Sequence, residues 1–161
     1  MRPPIRKGRA VDASDPFDLT RFVSAQQADY DRALTELRAG RKHTHWMWYI
    51  FPQLAGLGHS AMAQRFAISG LPEAQAYLRH GLLGPRLVEC AAAVRDLEGR
   101  SAHEIFGAPD DLKMCSSATL FAQVSADPVF KQLLQKYFDG QPDAATLRRL
   151  LTVPASEDVA P

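Results

Sequence analysis

The chain has 161 residues, 46% of them hydrophobic, which is enough for one hydrophobic core and too many for a chain disordered throughout. Nineteen lysines and arginines against eighteen aspartates and glutamates leave a formal net charge of +1, so no global field argues for nucleic acid or an anionic membrane as partner. No apolar run approaches the roughly 18 residues of a membrane span. The basic start MRPPIRKGRAVDASD also lacks the apolar stretch of a secretory signal, so the expected compartment is the cytoplasm.

Residues 1–14 carry Arg2, Arg6, Lys7 and Arg9 among prolines and a glycine and read as a disordered basic arm. Residues 152–161 read likewise as a tail, leaving one helical domain over 15–151. Asp15 before Pro16 predicts a helix start, since a capping oxygen precedes a residue whose missing N–H costs nothing there. Leu19, Phe22, Val23, Tyr30, Ala33, Leu34 and Leu37 then keep one face at helical spacing until Gly40. Gln26 interrupts that stripe and must find partners, either within the fold or in a ligand.

The run HTHWMWYIF, residues 43–51, follows. As a strand it would be apolar on both faces and would need a sheet that the rest of the chain does not supply. A short buried helix, capped by Thr44 and stopped before Pro52, is the expectation. Two indoles beside a cleft also make a stacking surface for a flat ring. In the next stretch, PQLAGLGHS, Gly56 and Gly58 free the backbone and Ser60 caps a helix, a general form of anion site, although an ordinary turn is the plainer reading. GLGHSA matches the dinucleotide fingerprint G-x-G-x-x-A only formally, because no strand precedes it and no βαβ unit surrounds it.

Ser69 and Pro72 open another helix, ending near Gly81. Pro85 opens the next, with Leu87, Cys90, Ala91, Val94 and Leu97 on one face. Ser101 with Glu104 predicts a capping box before a single turn closed by Gly107. Pro109 and Asp110 start a helix through Val124, Asp127-Pro128 start one ending at Gly140, and Asp143 caps the last. The expected fold is therefore all-α, a compact single domain of seven to eight short helices. Cys90 and Cys115 fall inside helical patterns without a CxxC partner and read as buried free thiols.

Within DDLKMCSSATLF, residues 110–121, Lys113, Ser116 and Ser117 share a helix face. A cation beside two hydroxyls on an otherwise apolar helix suits a carboxylate or phosphate. The plainer alternative is that both serines bond the carbonyls four residues back while Lys113 reaches for water. No metal site is expected: His43 and His45 would point to different sides of a helix, and His59, His80 and His103 have no ligand-like spacing. No cofactor is implied.

The stretches HWMWYIFPQ with GLG and Ser60, then EAQAYLRH, LGPRL, IFG, PDDLK and SSATLF, resemble the bacterial family catalogued as domain of unknown function 1810, over about residues 17–151. The label calpastatin on some members names a eukaryotic protease inhibitor, which a compact helical core does not resemble. The resemblance implies an all-helical fold and brings no activity. His45, Trp46, Trp48, Phe51, Pro52, Gln53, Gly56, Gly58, Ser60, Lys113, Ser116 and Ser117 match its pattern. Gly81 stands where proline is common, and Ala118 where methionine is common.

Three functional readings follow. In the first, a small anionic or nucleotide-like ligand sits between the two motifs. Trp46 or Trp48 stacks on it, His45 and Gln53 hydrogen-bond it, Gly58 and Ser60 flank it, and Lys113 with Ser116 and Ser117 takes its anionic end. In the second, the same pocket is catalytic, with His45 as general base of a hydrolase and Lys113 stabilising developing charge. In the third, an exposed apolar face docks a protein partner and there is no small-molecule site. The first two need segments distant in the chain to meet in space.

Overall fold

The computed structural model describes residues 14–152. The basic arm and the tail lie, apart from Ser14 and Thr152, outside the described residues. Nine helices occur in order among the described residues: α1 (Thr20–Arg38), α2 (Met47–Ile50), α3 (Ala61–Arg65), α4 (Leu71–Arg79), α5 (Leu83–Arg95), α6 (Ala102–Phe106), α7 (Asp110–Ala122), α8 (Val129–Phe138) and α9 (Ala144–Thr152). The all-α class read from the periodicity is the one observed. The number exceeds the seven to eight expected because α2, α3 and α6 are single turns of four or five residues. No strand forms among the described residues; an isolated parallel bridge joins Leu54 to Ile68.

Several helix ends follow their sequence signals. Ser60 accepts the Ala63 N–H at 3.0 Å. Ser101 and Glu104 form the reciprocal capping box. Asp143 accepts the Thr146 N–H at 2.9 Å. Other ends differ from expectation. Asp15 and Pro16 belong to a turn, and α1 begins only at Thr20, after Asp18 adopts a left-handed φ of 55°. The Asp15 carboxylate nevertheless accepts the Leu19 N–H at 2.7 Å and the Thr20 N–H at 3.0 Å, closing the first turn from outside. Thr44 does not cap α2, because its hydroxyl donates to Glu36 instead. Ser69 does not cap α4, because Glu73 takes both its N–H and its hydroxyl. Pro85 sits inside the first turn of α5 rather than at its start.

α7 packs against α4, α6, α8 and α9, while α5 packs against α1, α4 and α8. A line of rings runs through this arrangement: Phe66, Phe22, Tyr77, Phe121 and Phe130, with successive centroids 5.6, 5.0, 5.5 and 5.7 Å apart. Such tilted and edge-on pairs add to the burial of large apolar side chains. α4 and α5 approach so closely that a Cβ on Gly84 would lie 2.0 Å from the Leu78 carbonyl oxygen. The buried glutamine of α1 finds its partners within the fold. Gln26 donates to the Tyr49 carbonyl at 2.8 Å and the Tyr77 hydroxyl at 3.1 Å, and accepts from Arg86 at 3.3 Å. Of the two roles open to Gln26, the structure gives it the structural one. Cys90 and Cys115 are buried and free. Among the described residues no helix is long and apolar enough to cross a membrane.

Candidate functional site

The segment HTHW is shaped by a residue upstream of it. Glu36, near the end of α1, is buried, and its carboxylate accepts the His43 N–H at 2.8 Å, the Thr44 N–H at 3.0 Å, the Thr44 hydroxyl at 2.7 Å and the Trp46 indole N–H at 2.9 Å. Burial alone pushes this carboxyl up. The hydrogen bonds, led by that of the Thr44 hydroxyl, outweigh burial and hold it at about 2. Trp46 is thereby fixed in the core with no exposed surface and its only donor occupied. Trp46 therefore offers no face to a ligand, whereas Trp48 is partly exposed at the edge of the core.

The two motifs meet at Trp48. The Lys113 ammonium of α7 stands 5.6 Å from the Trp48 ring centroid, within range of a cation–π contact. One turn back, Asp110 holds Lys113 at 3.5 Å through one carboxylate oxygen and Lys42 at 2.9 Å through the other. The Lys42 ammonium also donates to the Thr44 carbonyl and lies 5.0 Å from the Trp46 ring centroid. Two cations therefore share the Asp110 carboxylate at the seam between α2 and α7, with the Glu36 carboxylate on the far side of Trp46 Nε1.

The two serines behave differently. Ser116 follows the plainer reading, its hydroxyl donating to the Leu112 carbonyl at 3.2 Å. Ser117 does not: its Oγ is buried and has no hydrogen-bond partner. It lies one turn beyond Lys113 on the same face. A buried hydroxyl without a partner is uncommon and costs about 1–3 kcal/mol of desolvation.

His45 is exposed, immediately before the buried Trp46, and its carbonyl accepts the Tyr49 hydroxyl at 3.3 Å. Gln53 is half-buried, and its carbonyl accepts the Ile68 N–H at 2.9 Å. Ser60 is occupied in capping α3, and Gly58 packs so closely that a Cβ there would meet that of Ala63 at 2.7 Å. Among the described residues no three His, Cys, Asp or Glu side chains gather as a metal ion would require.

Residues 16–150 match the model of a family described as a protein of unknown function, DUF1810. The chain belongs to that family. The crystal structure of the conserved hypothetical protein Rv1873 from Mycobacterium tuberculosis is similar at 57% sequence identity with a TM-score of 0.84, covering 86% of this chain and 99% of that one. No curated protein matches this DUF1810 member.

Two residues around the DUF1810 motifs had no sequence signal strong enough to single them out. Glu36 reads as one more charge on a helix, although it falls beside Ala33 and Leu37 on the buried stripe. Arg149 of α9 donates from Nε to the Ala55 carbonyl at 2.9 Å. Its guanidinium lies over Gly56, 2.2 Å from where a Cβ would stand. Gly56 has φ +94°, so the glycine is required both by the backbone and by the arginine above it. That pairing joins the loop after HWMWYIFPQ to a helix that packs on α7.

Proposed function

We propose that this domain binds a small anionic or nucleotide-like molecule in the cytoplasm, at the seam between α2 and α7. The observation that carries the reading is the Lys113 ammonium 5.6 Å from the Trp48 ring, which brings two separated motifs to one place. Trp48 offers a flat apolar face to a ring, Lys113 a charge to an anionic group, and Ser117 a hydroxyl that lacks a partner. His45 and Gln53 flank the aromatic segment and supply polar contacts. Ser116 and Ser60, their hydroxyls already engaged, contribute to the shape of the site, as Gly58 does by its close packing.

The test is thermal stability against nucleotides, sugar phosphates and small organic acids, with Lys113→Ala and Trp48→Ala alongside. A ligand at 100 times its dissociation constant adds about 2.7 kcal/mol, a readily measured shift in melting temperature. A stabilising compound whose effect disappears in both variants supports the seam as its site. No response across the panel, or a response indifferent to both substitutions, overturns the reading.

A further inference from the structure

On the other side of Lys42 from the Trp48 seam, the chain carries a second group of basic side chains. A cleft of about 490 Å³ opens between the α1–α2 connection and α6, lined by Arg41, Lys42, Arg100, His103 and Glu104 above Ile105, Phe106 and Gly107. We infer that this cleft binds a small polyphosphate, two linked phosphoryl groups held by the guanidinium groups of Arg41 and Arg100, which line it together.

The argument begins with Gly40. Its φ of +85° turns the chain at the end of α1, and a Cβ there would lie 2.9 Å from Arg100 Nε. Glycine thus lets the Arg100 side chain lie across the backbone, next to Arg41. Both arginines are exposed, and among the described residues neither side chain has an ion pair or hydrogen bond. Like charges held in one depression repel unless an anion joins them. Glu104 offsets part of this charge, but its carboxylate is directed to the Ser101 N–H at 2.8 Å in the α6 capping box and pairs with neither arginine. Lys42 is likewise engaged, by Asp110 at 2.9 Å and the Thr44 carbonyl at 2.6 Å.

The guanidinium groups are therefore the available ligands, and their planar forks suit phosphoryl oxygens. The floor is firm: the Lys42 N–H donates to the Ile105 carbonyl at 2.7 Å, and Phe106 packs edge-on to Phe51 at 6.1 Å. Two guanidinium groups rather than one line the cleft, which favours two linked phosphoryl groups over a lone phosphate. The cleft lining does not include Trp48 or Lys113; Asp110 links it to that seam by pairing with both Lys42 and Lys113.

Isothermal titration of the full chain with pyrophosphate and with orthophosphate tests the inference. Pyrophosphate should bind about tenfold or more tightly than orthophosphate, and Arg41→Gln with Arg100→Gln should weaken it by about tenfold or more. Arg41→Lys with Arg100→Lys keeps the charge, loses the fork and should fall between. Lys113→Ala acts on the cleft only through Asp110 and Lys42 and should weaken pyrophosphate far less than the double glutamine variant. Since both arginines are exposed, the melting temperature of each double variant should match the parent, which separates loss of binding from loss of fold. Absence of pyrophosphate binding, or binding unchanged by the double glutamine variant, overturns the inference. So does binding abolished by Lys113→Ala alone, which would assign the anion to the Trp48 seam instead.

Discussion

Glu36 and Ser117 are opposite cases of a buried polar group. Glu36 satisfies four donors from the aromatic segment, and its carboxyl is held at about 2, below its ordinary value of 4.5. A carboxyl lowered by folding adds stability that is complete above the unfolded value and lost as acid titrates the folded form. Melting temperature should therefore decline as pH falls from about 4.5 toward 2. Glu36→Gln should lower stability near neutrality by about 1.5–3 kcal/mol and flatten that decline, read from melts across the acid range. Ser117→Ala should do the reverse, stabilising the unliganded protein by up to about 1 kcal/mol while weakening whatever binds at Trp48. Should Ser117→Ala destabilise the unliganded protein, its hydroxyl has a partner in solution. Neither role was legible beforehand. The sequence marks Ser117 as a candidate and cannot tell it from Ser116, because both face carbonyls at the same helical offset.

Helices were legible wherever a local rule governs. The apolar stripe of α1, the cap at Ser60, the box at Ser101 and the cap at Asp143 all depend on residues within one turn of each other. The signals that failed were those whose side chains found stronger partners elsewhere. Thr44 turned to Glu36, and Ser69 turned to Glu73, which itself pairs with Arg21 at 2.8 Å in a nearly dry setting. Arg21 also donates to the carbonyls of Phe17, Asp18, Arg65 and Ala67, so one side chain ties the start of α1 to the chain ahead of α4. Contact between α4 and α5 supplies an element-scale test. Alanine is the better helix former by about 1 kcal/mol, yet at Gly84 its Cβ would stand 2.0 Å from a backbone oxygen. The clash should win, and Gly84→Ala should cost about 2–3 kcal/mol in urea unfolding.

For the molecule as a whole, helical periodicity was enough to give the all-α class, because every long segment carries it. It could not show that HWMW and the serine helix touch, since nothing local links Trp48 to Lys113. The ring line through α1, α4, α7 and α8 makes the core continuous, so opening should be cooperative. The cysteines provide the readout. Burial pushes the Cys90 thiol up to about 12 and the Cys115 thiol up to about 11, leaving almost no thiolate at neutral pH. Both should resist a thiol reagent in the native protein and label together, at a rate set by global unfolding and rising with denaturant. Fast labelling of one alone would reveal a separate local opening of α5 or α7.

The chain contains two tryptophans, and the fold gives them different surroundings. Trp46 is sealed among core rings with its N–H on a carboxylate, while Trp48 sits at the rim beneath an ammonium. Its intrinsic emission is thus divided between an interior and a rim fluorophore. A dissolved quencher can reach the rim indole and not the sealed one, and a molecule seated over Trp48 would shield it. The quenchable fraction of the light then measures occupancy of the seam, and the protected fraction measures integrity of the fold, in one unlabelled sample.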